Sequence, residues 1–353
     1  MKTAVLLSGG VDSSLALKLL KSEGYDVTAF YLKVWLEDEM SFLGDCPWGE
    51  DIEFASAVCR QLDVPLKIIQ MQKDYHNIIV DYTIKELKAG RTPSPDVLCN
   101  RHIKFGRFLD KIDDSFELIA SGHYAQVENK NEQYFLKSAP DAVKDQTYFL
   151  SYLKQEQLKK IIFPIGKFNK NEVRNLAQKH NLPTKSRKDS QGICFLGKIP
   201  YNEFVKYHLG VKTGDIIDIQ TGKKLSSHQG YWYYTIGQRH GIGLGGGPWY
   251  VVKKDIENNI IYISTEKLNQ SVFRDKFFVR DINWIPYAPT KLNLQVKLRH
   301  GPKKYDCKLD IANDSTVKVE IDGEDEGIAS GQFAVFYDGD YCLGGGVIDL
   351  IIK

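Results

Sequence analysis

The sequence predicts an α/β fold class: a parallel-sheet N-terminal domain, then a small β domain and a C-terminal β-barrel. Three observations predict it. Short apolar runs alternate with helical stretches from Thr3 to about Ser121, and a double-glycine turn directly follows the first run. Beyond about residue 200, helical periodicity gives way to aromatic and β-branched runs broken by glycine turns. At 353 residues the chain exceeds one ordinary domain. The boundaries expected are 1–200, 201–268 and 269–353.

Strands are expected at 3–7, Val27–Lys33, Leu66–Gln70 and Glu117–Ala120, with helices near 13–23, 50–62, 75–89 and 100–112. On such a sheet, ligands bind beyond the carboxyl ends of the strands, where the turn Leu6-Leu7-Ser8-Gly9-Gly10-Val11-Asp12-Ser13 falls. Residues 122–150 read as Gly-His-Tyr, a short hairpin, and Lys144-Asp145-Gln146 opening a helix. Residues 154–181 read as helical, and Pro183–Phe195 as an irregular polar segment. Further strands are expected at Gln229–Tyr234, Trp249–Lys253, Ile260–Ser264, Phe277–Ile285 and Leu292–Arg299. Tyr305–Ile311, Val317–Ile321, Phe333–Tyr337 and Cys342–Ile352 continue the pattern.

Composition is ordinary globular, 42% hydrophobic and 26% charged. A net charge of +2 neither demands nor excludes nucleic acid, so any basic surface must be local. No apolar run approaches the ~20 residues that span a bilayer, and the first residues lead into a strand rather than a signal peptide. A cytoplasmic protein without a membrane partner is expected. Cysteines stand at 46, 59, 99, 194, 307 and 342, without C-x-x-C or zinc-ligand spacing. In a reducing compartment these are thiols, and any disulfide would be catalytic.

The opening turn is an anion site by construction. Backbone N–H groups and the α-helix dipole converge there, and the glycines keep Cβ atoms away from phosphate oxygens. It is not a Walker A loop, since no G-x-x-x-x-G-K-[ST] occurs. S-G-G-x-D-S after an N-terminal strand is instead the signature of ATP pyrophosphatase (PP-loop) enzymes. In that reading Gly9, Gly10 and the hydroxyls cradle the leaving pyrophosphate, and Asp12 helps to hold Mg²⁺; no dedicated metal site is expected.

Two loops stand out. Lys33–Glu50 is long, acidic and tryptophan-bearing, as a lid or substrate flap would be. Gly90–Asn100 carries Pro93 and Pro95, a stiffened loop that delivers Asp96 and Cys99 to the start of a helix, where a thiol pKa falls. Cys59, Cys307 and Cys342 fall within apolar patterns as small core residues. Cys99 and Cys194 lie in polar loops, reactive or structural; Cys46 is intermediate. Gly241–Gly246 satisfies G-x-G-x-x-G but lies among strands, so it reads as a loop that closes over a ligand rather than a dinucleotide site. His123 reads either as a nucleotide or nucleic-acid contact or as an ordinary hydrogen-bonded histidine.

Taken together, these residues resemble the tRNA-specific 2-thiouridylase family over nearly the whole chain. The matching runs are S-G-G-V-D-S-S (8–14), G-R-T-P-S-P-D-V-L-C-N (90–100), I-K-F (103–105), S-G-H-Y (121–124) and K-D-Q-T-Y-F-L (144–150). K-D-S-Q-G-I-C-F (188–195), Y-T-I-G-Q-R-H-G (234–241), G-Q-F-A-V-F-Y (331–337) and C-L-G-G-G-V-I (342–348) complete them. The resemblance implies ATP-dependent sulfur insertion at carbon 2 of the wobble uridine of tRNA. It implies that Leu6 to Ser13 form the ATP loop, with Leu32 and Gly122 near the adenosine. Cys194 would carry a persulfide received from a cysteine desulfurase or sulfur-relay protein. Cys99 would be the second thiol, forming a transient disulfide with Cys194, and Asp96 would be the acid or base. Ser94 and Pro95 would shape the base pocket, while His123, Lys144, Asp145, Gln146, Arg299, His300 and Gln332 would touch tRNA.

The chain departs from the family in three places. Ser94 stands where Asn is usual, Arg299-His300-Gly301 replaces Arg-Tyr-Arg, and loop 35–50 differs from the commonest version. Two rivals are a PP-loop ligase acting on a small molecule, which needs no paired cysteines, and an RNA-binding protein with a vestigial ATP loop.

Overall fold

The computed structural model describes residues 1–34, 48–189, 200–265, 274–313, 316–325 and 327–351. Cys46, most of loop 35–50 and Cys194 lie outside them. The N-terminal sheet is parallel, with β1 (Lys2–Leu6) at its centre. β2 (Asp26–Lys33) and β3 (Leu66–Gln70) extend one side; β4 (Leu118–Ala120) and, beyond β5 and β6, the short β7 (Ile161–Ile162) extend the other. Ala4 and Val5 are fully buried, as a strand covered on both faces requires. Helix α1 (Val11–Ser22) starts at Gly10 and places Leu15, Ala16 and Leu17 in the interior. Helix α2 (Trp48–Leu62) packs Ala55 and Val58 with Val5, Leu7 and Leu17.

Helical turns over Gln72–Tyr75, a π-helical stretch over His76–Val80 and a helix over Asp81–Lys88 lead to the proline loop. A short helix, Pro95–Leu98, then runs into a second π-helical stretch, Cys99–Arg107. Between β4 and β7 the hairpin β5 (Ala125–Lys130) and β6 (Gln133–Ser138) leaves the parallel sheet and pairs with the C-terminal sheet.

Two expectations for this half are corrected. Residues 154–181 are not one helix: a turn at Gln155–Leu158 is followed by β7, and helix α3 begins only at Lys170, ending at Lys179. Pro164 and Gly166 break the pattern, and Ile161–Ile162 gain ladder bonds against Ile119–Ala120. After residue 200, where helical periodicity was expected to fade, one more helix follows, α4 (Tyr201–Leu209).

The middle sheet contains β8 (Gly214–Asp218), β9 (Lys224–His228), β10 (Tyr250–Asp255) and β11 (Ile260–Ser264), in the order β10-β11-β8-β9. Gln229–Tyr234 is not a strand. Gly230 takes a positive φ of 148° and Tyr231–Tyr233 form a 3₁₀ turn that buries Tyr231. The glycines of 241–246 form turns among these strands, and Ile242 packs into the middle core.

β12 (Arg274–Trp284), β13 (Asn293–Lys297), β14 (Tyr305–Asn313), β15 (Thr316–Asp325), β16 (Phe333–Asp338) and β17 (Tyr341–Ile351) close an antiparallel six-stranded barrel through the β12–β17 pairing. Its outer residues share a core with the N-terminal domain: Phe333, Val335 and Tyr337 join Leu6, Phe30, Val97 and Phe105. Catalytic sheet and barrel are thus packed as one interior.

Candidate active site

The carboxyl ends of β1, β2 and β4 converge as a parallel sheet dictates. Leu6 and Leu7 end β1, Leu32 lies near the end of β2, and Gly122 follows β4. Ser8 and Ser13 close the turn: the Ser8 N–H donates to Ser13 Oγ at 3.2 Å, and their hydroxyls are 3.2 Å apart. Gly9 has φ +75°, and a Cβ there would lie 2.3 Å from the Asp51 carbonyl oxygen. At Gly122 a Cβ would lie 2.5 Å from Ser13 N, so β4 approaches the loop backbone to backbone. Gly10 caps α1 without a side-chain hydrogen bond, leaving the cap to whatever anion the turn receives. Close approach of the protein's own backbone demands glycine at 9 and 122, and the cradle lies at the N-terminus of α1, where an anion is favoured.

Asp12 is not free to take a cation. Both its oxygens accept from Lys170 Nζ, at 2.8 and 2.9 Å, and Oδ1 also accepts from the Tyr124 hydroxyl at 2.8 Å. A Mg²⁺ ligated by Asp12 does not fit this arrangement. Lys170 bridges on to Asp189 at 2.8 Å, and Asp189 also receives Lys144 at 2.8 Å and Arg174. Burial pushes the Asp189 carboxyl up, but the lysine hydrogen bonds and charges outweigh it and hold it well below the usual range. Arg187 donates to the Gly9 carbonyl at 2.8 Å and pairs with Asp51. Among the described residues no group of three or more His, Cys, Asp or Glu side chains could hold a metal.

The second region is the proline loop. Ser94 is the N-cap of Pro95–Leu98, and its N–H donates to the Tyr82 hydroxyl at 3.3 Å. Asp96 falls in the first turn of Pro95–Leu98 and Cys99 opens the π-helical stretch Cys99–Arg107, so the loop delivers both to the start of a helical segment, as expected. Cys99 is buried beside Met71, Ile103, Phe204 and Val205, and Cys59, Cys99, Cys307 and Cys342 are not disulfide-bonded. Burial raises the Asp96 carboxyl, while Lys104 and His300 pull it down.

The loop is held from two sides. The Thr92 N–H donates to the Ser330 carbonyl at 2.9 Å, while Thr92 and Thr235 hydroxyls are 3.5 Å apart. Arg91 makes a bidentate pair with Glu86, both bonds 2.6 Å. Gly331, at φ +94°, lies where a Cβ would be 2.7 Å from the Thr92 carbonyl oxygen.

The other expected residues divide. His123 accepts or donates at Nδ1 to Ser121 Oγ, 2.7 Å, beside Phe105 and Phe163; burial, then Lys104, hold it neutral well below its ordinary pKa. Asp145 is 2% exposed and paired with Lys297, so its carboxylate faces the interior. The Gln146 side chain accepts from Tyr124 N at 3.0 Å. His300 stacks on Phe149 at 4.6 Å, and Arg299 pairs with the buried Asp325. Gln332 Oε1 is buried without a hydrogen-bond partner, an acceptor left for a ligand donor. The residues not expected are Lys104, Lys170, Arg174, Arg187, Asp51 and Asp189. Two of them lay in runs the sequence singles out, Lys104 in I-K-F and Asp189 in K-D-S-Q-G-I-C-F.

A nucleotide-cradling α/β domain joined to two β domains is the class this arrangement defines. The tRNA methyl transferase HUP domain model matches residues 1–198, the tRNA methyl transferase PRC-barrel domain model 202–265, and the aminomethyltransferase beta-barrel domain model 274–348. The chain is 43% identical to the tRNA-specific 2-thiouridylase MnmA of Parabacteroides distasonis, covering 99% of both chains. It is equally 43% identical to MnmA 1 of Bacteroides thetaiotaomicron and 42% identical to MnmA of Porphyromonas gingivalis, again over 99% of both chains. The chain belongs to the tRNA-specific 2-thiouridylase family. The family uses ATP, and no helix among the described residues is long and apolar enough to cross a membrane.

Proposed function

We propose that this chain is an ATP-dependent tRNA-uridine 2-sulfurtransferase acting at the wobble position. The observation that carries the reading is the glycine cradle at Ser8–Ser13, in a chain that also bears Asp96 and Cys99 on a loop held by both β domains. ATP supplies the adenylyl group that converts the uracil carbon-2 oxygen into a leaving group, departing as AMP after pyrophosphate has left. Mg²⁺ accompanies the nucleotide rather than residing on Asp12.

The thiols then act in sequence. The terminal sulfur of a Cys194 persulfide attacks carbon 2 and AMP leaves. The Cys99 thiolate attacks the inner sulfur, the S–S bond to the new thiouridine breaks, and a Cys99–Cys194 disulfide remains. An external dithiol reduces it, and a cysteine desulfurase or relay protein reloads Cys194. Asp96, its carboxyl raised by burial, holds or gives the proton at the base. Ser94 and Pro95 border that base, and Gln332, His123, Lys144, Gln146 and His300 serve the tRNA side. Cys194 is separated by five residues from Asp189 and by six from Pro200, whose helix α4 packs Phe204 and Val205 beside Cys99; this supports a pairing of the two thiols. The domain-model descriptions name methyl transfer, but a PP-loop cradle suits release of pyrophosphate, which methyl transfer does not require.

The test incubates wild-type, Cys99→Ser, Cys194→Ser and doubly substituted protein with tRNA, ATP, Mg²⁺ and a desulfurase system. Nucleoside mass spectrometry should find 2-thiouridine with wild type alone. Thiolation by the double variant would sink the persulfide assignment. Full turnover by Cys194→Ser would favour a ligase without paired thiols.

A further inference from the structure

The ATP loop is completed by a residue far outside its motif. We propose that Lys170 is the cation that receives the β- and γ-phosphates of ATP and then the departing pyrophosphate, with Asp12 holding its ammonium group in place and Asp189 the partner it gives up to the phosphate. The proposal rests on the ATP reading above and extends it to a residue outside the glycine loop.

Four observations carry it. Lys170 Nζ lies 2.8 and 2.9 Å from the two Asp12 oxygens, and Asp12 belongs to the first turn of α1, the turn that borders the glycine cradle. Its side chain is 14% exposed, so its charge acts in a partly desolvated place where anion contacts are strong. Its position is built rather than incidental. Lys170 opens α3, whose start is fixed by a reciprocal capping box between Asn169 and Glu172, and α3 packs Val173 and Ala177 against Val11 and Leu15 of α1. Finally, the group is poised to change partners. Asp189 is shared with Lys144 and Arg174, so it stays paired when Lys170 turns to a phosphate.

The same geometry explains why Asp12 makes a poor metal ligand here. Its charge is already met by a side chain, and a divalent ion would have to displace Lys170. Asp12, Asp189, Lys144, Lys170 and Arg174 sum to one positive charge, which Asp141, accepting from the Lys170 N–H at 3.1 Å, balances, so an arriving polyphosphate meets a cluster that is not already anionic. Arg187 adds a second cation at the Gly9 carbonyl but is neutralised by Asp51.

The test is equilibrium dialysis of radiolabelled ATP, pyrophosphate and AMP against the full chain without tRNA, with Mg²⁺ present, after circular dichroism has checked each variant. Lys170→Gln should weaken ATP and pyrophosphate about ten- to hundredfold, the loss of one charge-assisted contact, and leave AMP within about threefold. Lys170→Arg should restore most of the ATP affinity. Asp189→Asn supplies the opposite sign: removing a competing carboxylate should tighten ATP about threefold or more, whereas a merely scaffolding network predicts weaker binding. Unchanged ATP affinity in Lys170→Gln, an equal loss for AMP, or weaker ATP binding by Asp189→Asn would each overturn the proposal. A wild-type protein that takes up no ATP overturns the adenylation reading and this inference with it.

Discussion

Asp145 and Lys297 offer the sharpest test of how the barrel is fixed to the catalytic domain. Each side chain is 2% exposed, and Lys297 Nζ lies 2.8 Å from Asp145 Oδ2. The carboxylate also accepts from Thr147 Oγ1 at 2.8 and 3.0 Å and from Ala139 N at 3.2 Å. The ammonium group sits 5.2 Å from the Tyr337 ring. Lys297→Met keeps the apolar stem but strands a buried carboxylate, a loss of about 3–5 kcal/mol. Unfolding entropy near 2.1 cal/mol/K per residue makes that about 4–7 °C in Tm for a chain of this length. Adding Asp145→Asn to Lys297→Met removes the stranded charge yet keeps the amide's contacts to Thr147, so the double variant should recover part of the loss. Differential scanning calorimetry measures all four proteins. A Lys297→Met Tm within about 1 °C of wild type, or strictly additive losses, would refute the reasoning. The folded double variant should also bind tRNA like wild type, because the Asp145 carboxylate faces the interior.

Two further outcomes follow from the same geometry. Gly331→Ala places a Cβ 2.7 Å from the Thr92 carbonyl at a φ of +94°, so it should displace the proline loop and cut thiolation kcat about tenfold or more while ATP affinity in dialysis holds. His123 is neutral in the folded protein well below pH 6.5, so the unfolded chain alone takes up its proton as pH falls through 6.5. Stability should therefore fall on acidification through pH 6.5, and urea titrations of His123→Gln should show a smaller pH dependence than wild type.

The sheet was legible because its inner strands β1, β2 and β4 are largely buried and read as apolar runs, and the exposed edge strand β3 still carries Leu66, Ile68 and Ile69; β1 to β4 fall within a residue or two of expectation. What escaped was decided by distant partners. Ile161–Ile162 is a strand only because Ile119–Ala120 lies beside it, and local periodicity reads it as helix. The aromatic run at 229–234 has strand propensity, yet the Tyr231 hydroxyl donates to the Lys88 carbonyl at 2.6 Å, and the chain turns there instead. The ATP loop could be read from its own residues, since backbone N–H groups and glycines are local features. Lys170, Arg187 and Asp51 could not, because ion pairing across 158 or 136 positions leaves no periodic trace. Asp145 looked like a surface acid because the lysine that buries it lies 152 residues away.

The β domains fix the position of the proline loop. Pro93 and Pro95 stiffen the loop that carries Asp96 and Cys99, but a stiff loop still needs a fixed origin. The structure supplies it twice over. The barrel contributes the Ser330 carbonyl and the close approach of Gly331; the middle domain contributes Thr235, the Tyr231 hydroxyl on Lys88, and Ile256 against Gly90. On the inner side, Glu86 grips Arg91 and the Tyr82 hydroxyl meets Ser94. A shift of an ångström at a reacting group costs about two orders of magnitude in rate, so a loop pinned from three directions is a catalytic requirement as much as a structural one. Because the anchors belong to both β domains, a shift of either one would move the loop that carries Asp96 and Cys99. The ATP loop, held separately by α3 and Arg187, keeps its geometry while the substrate loop adjusts.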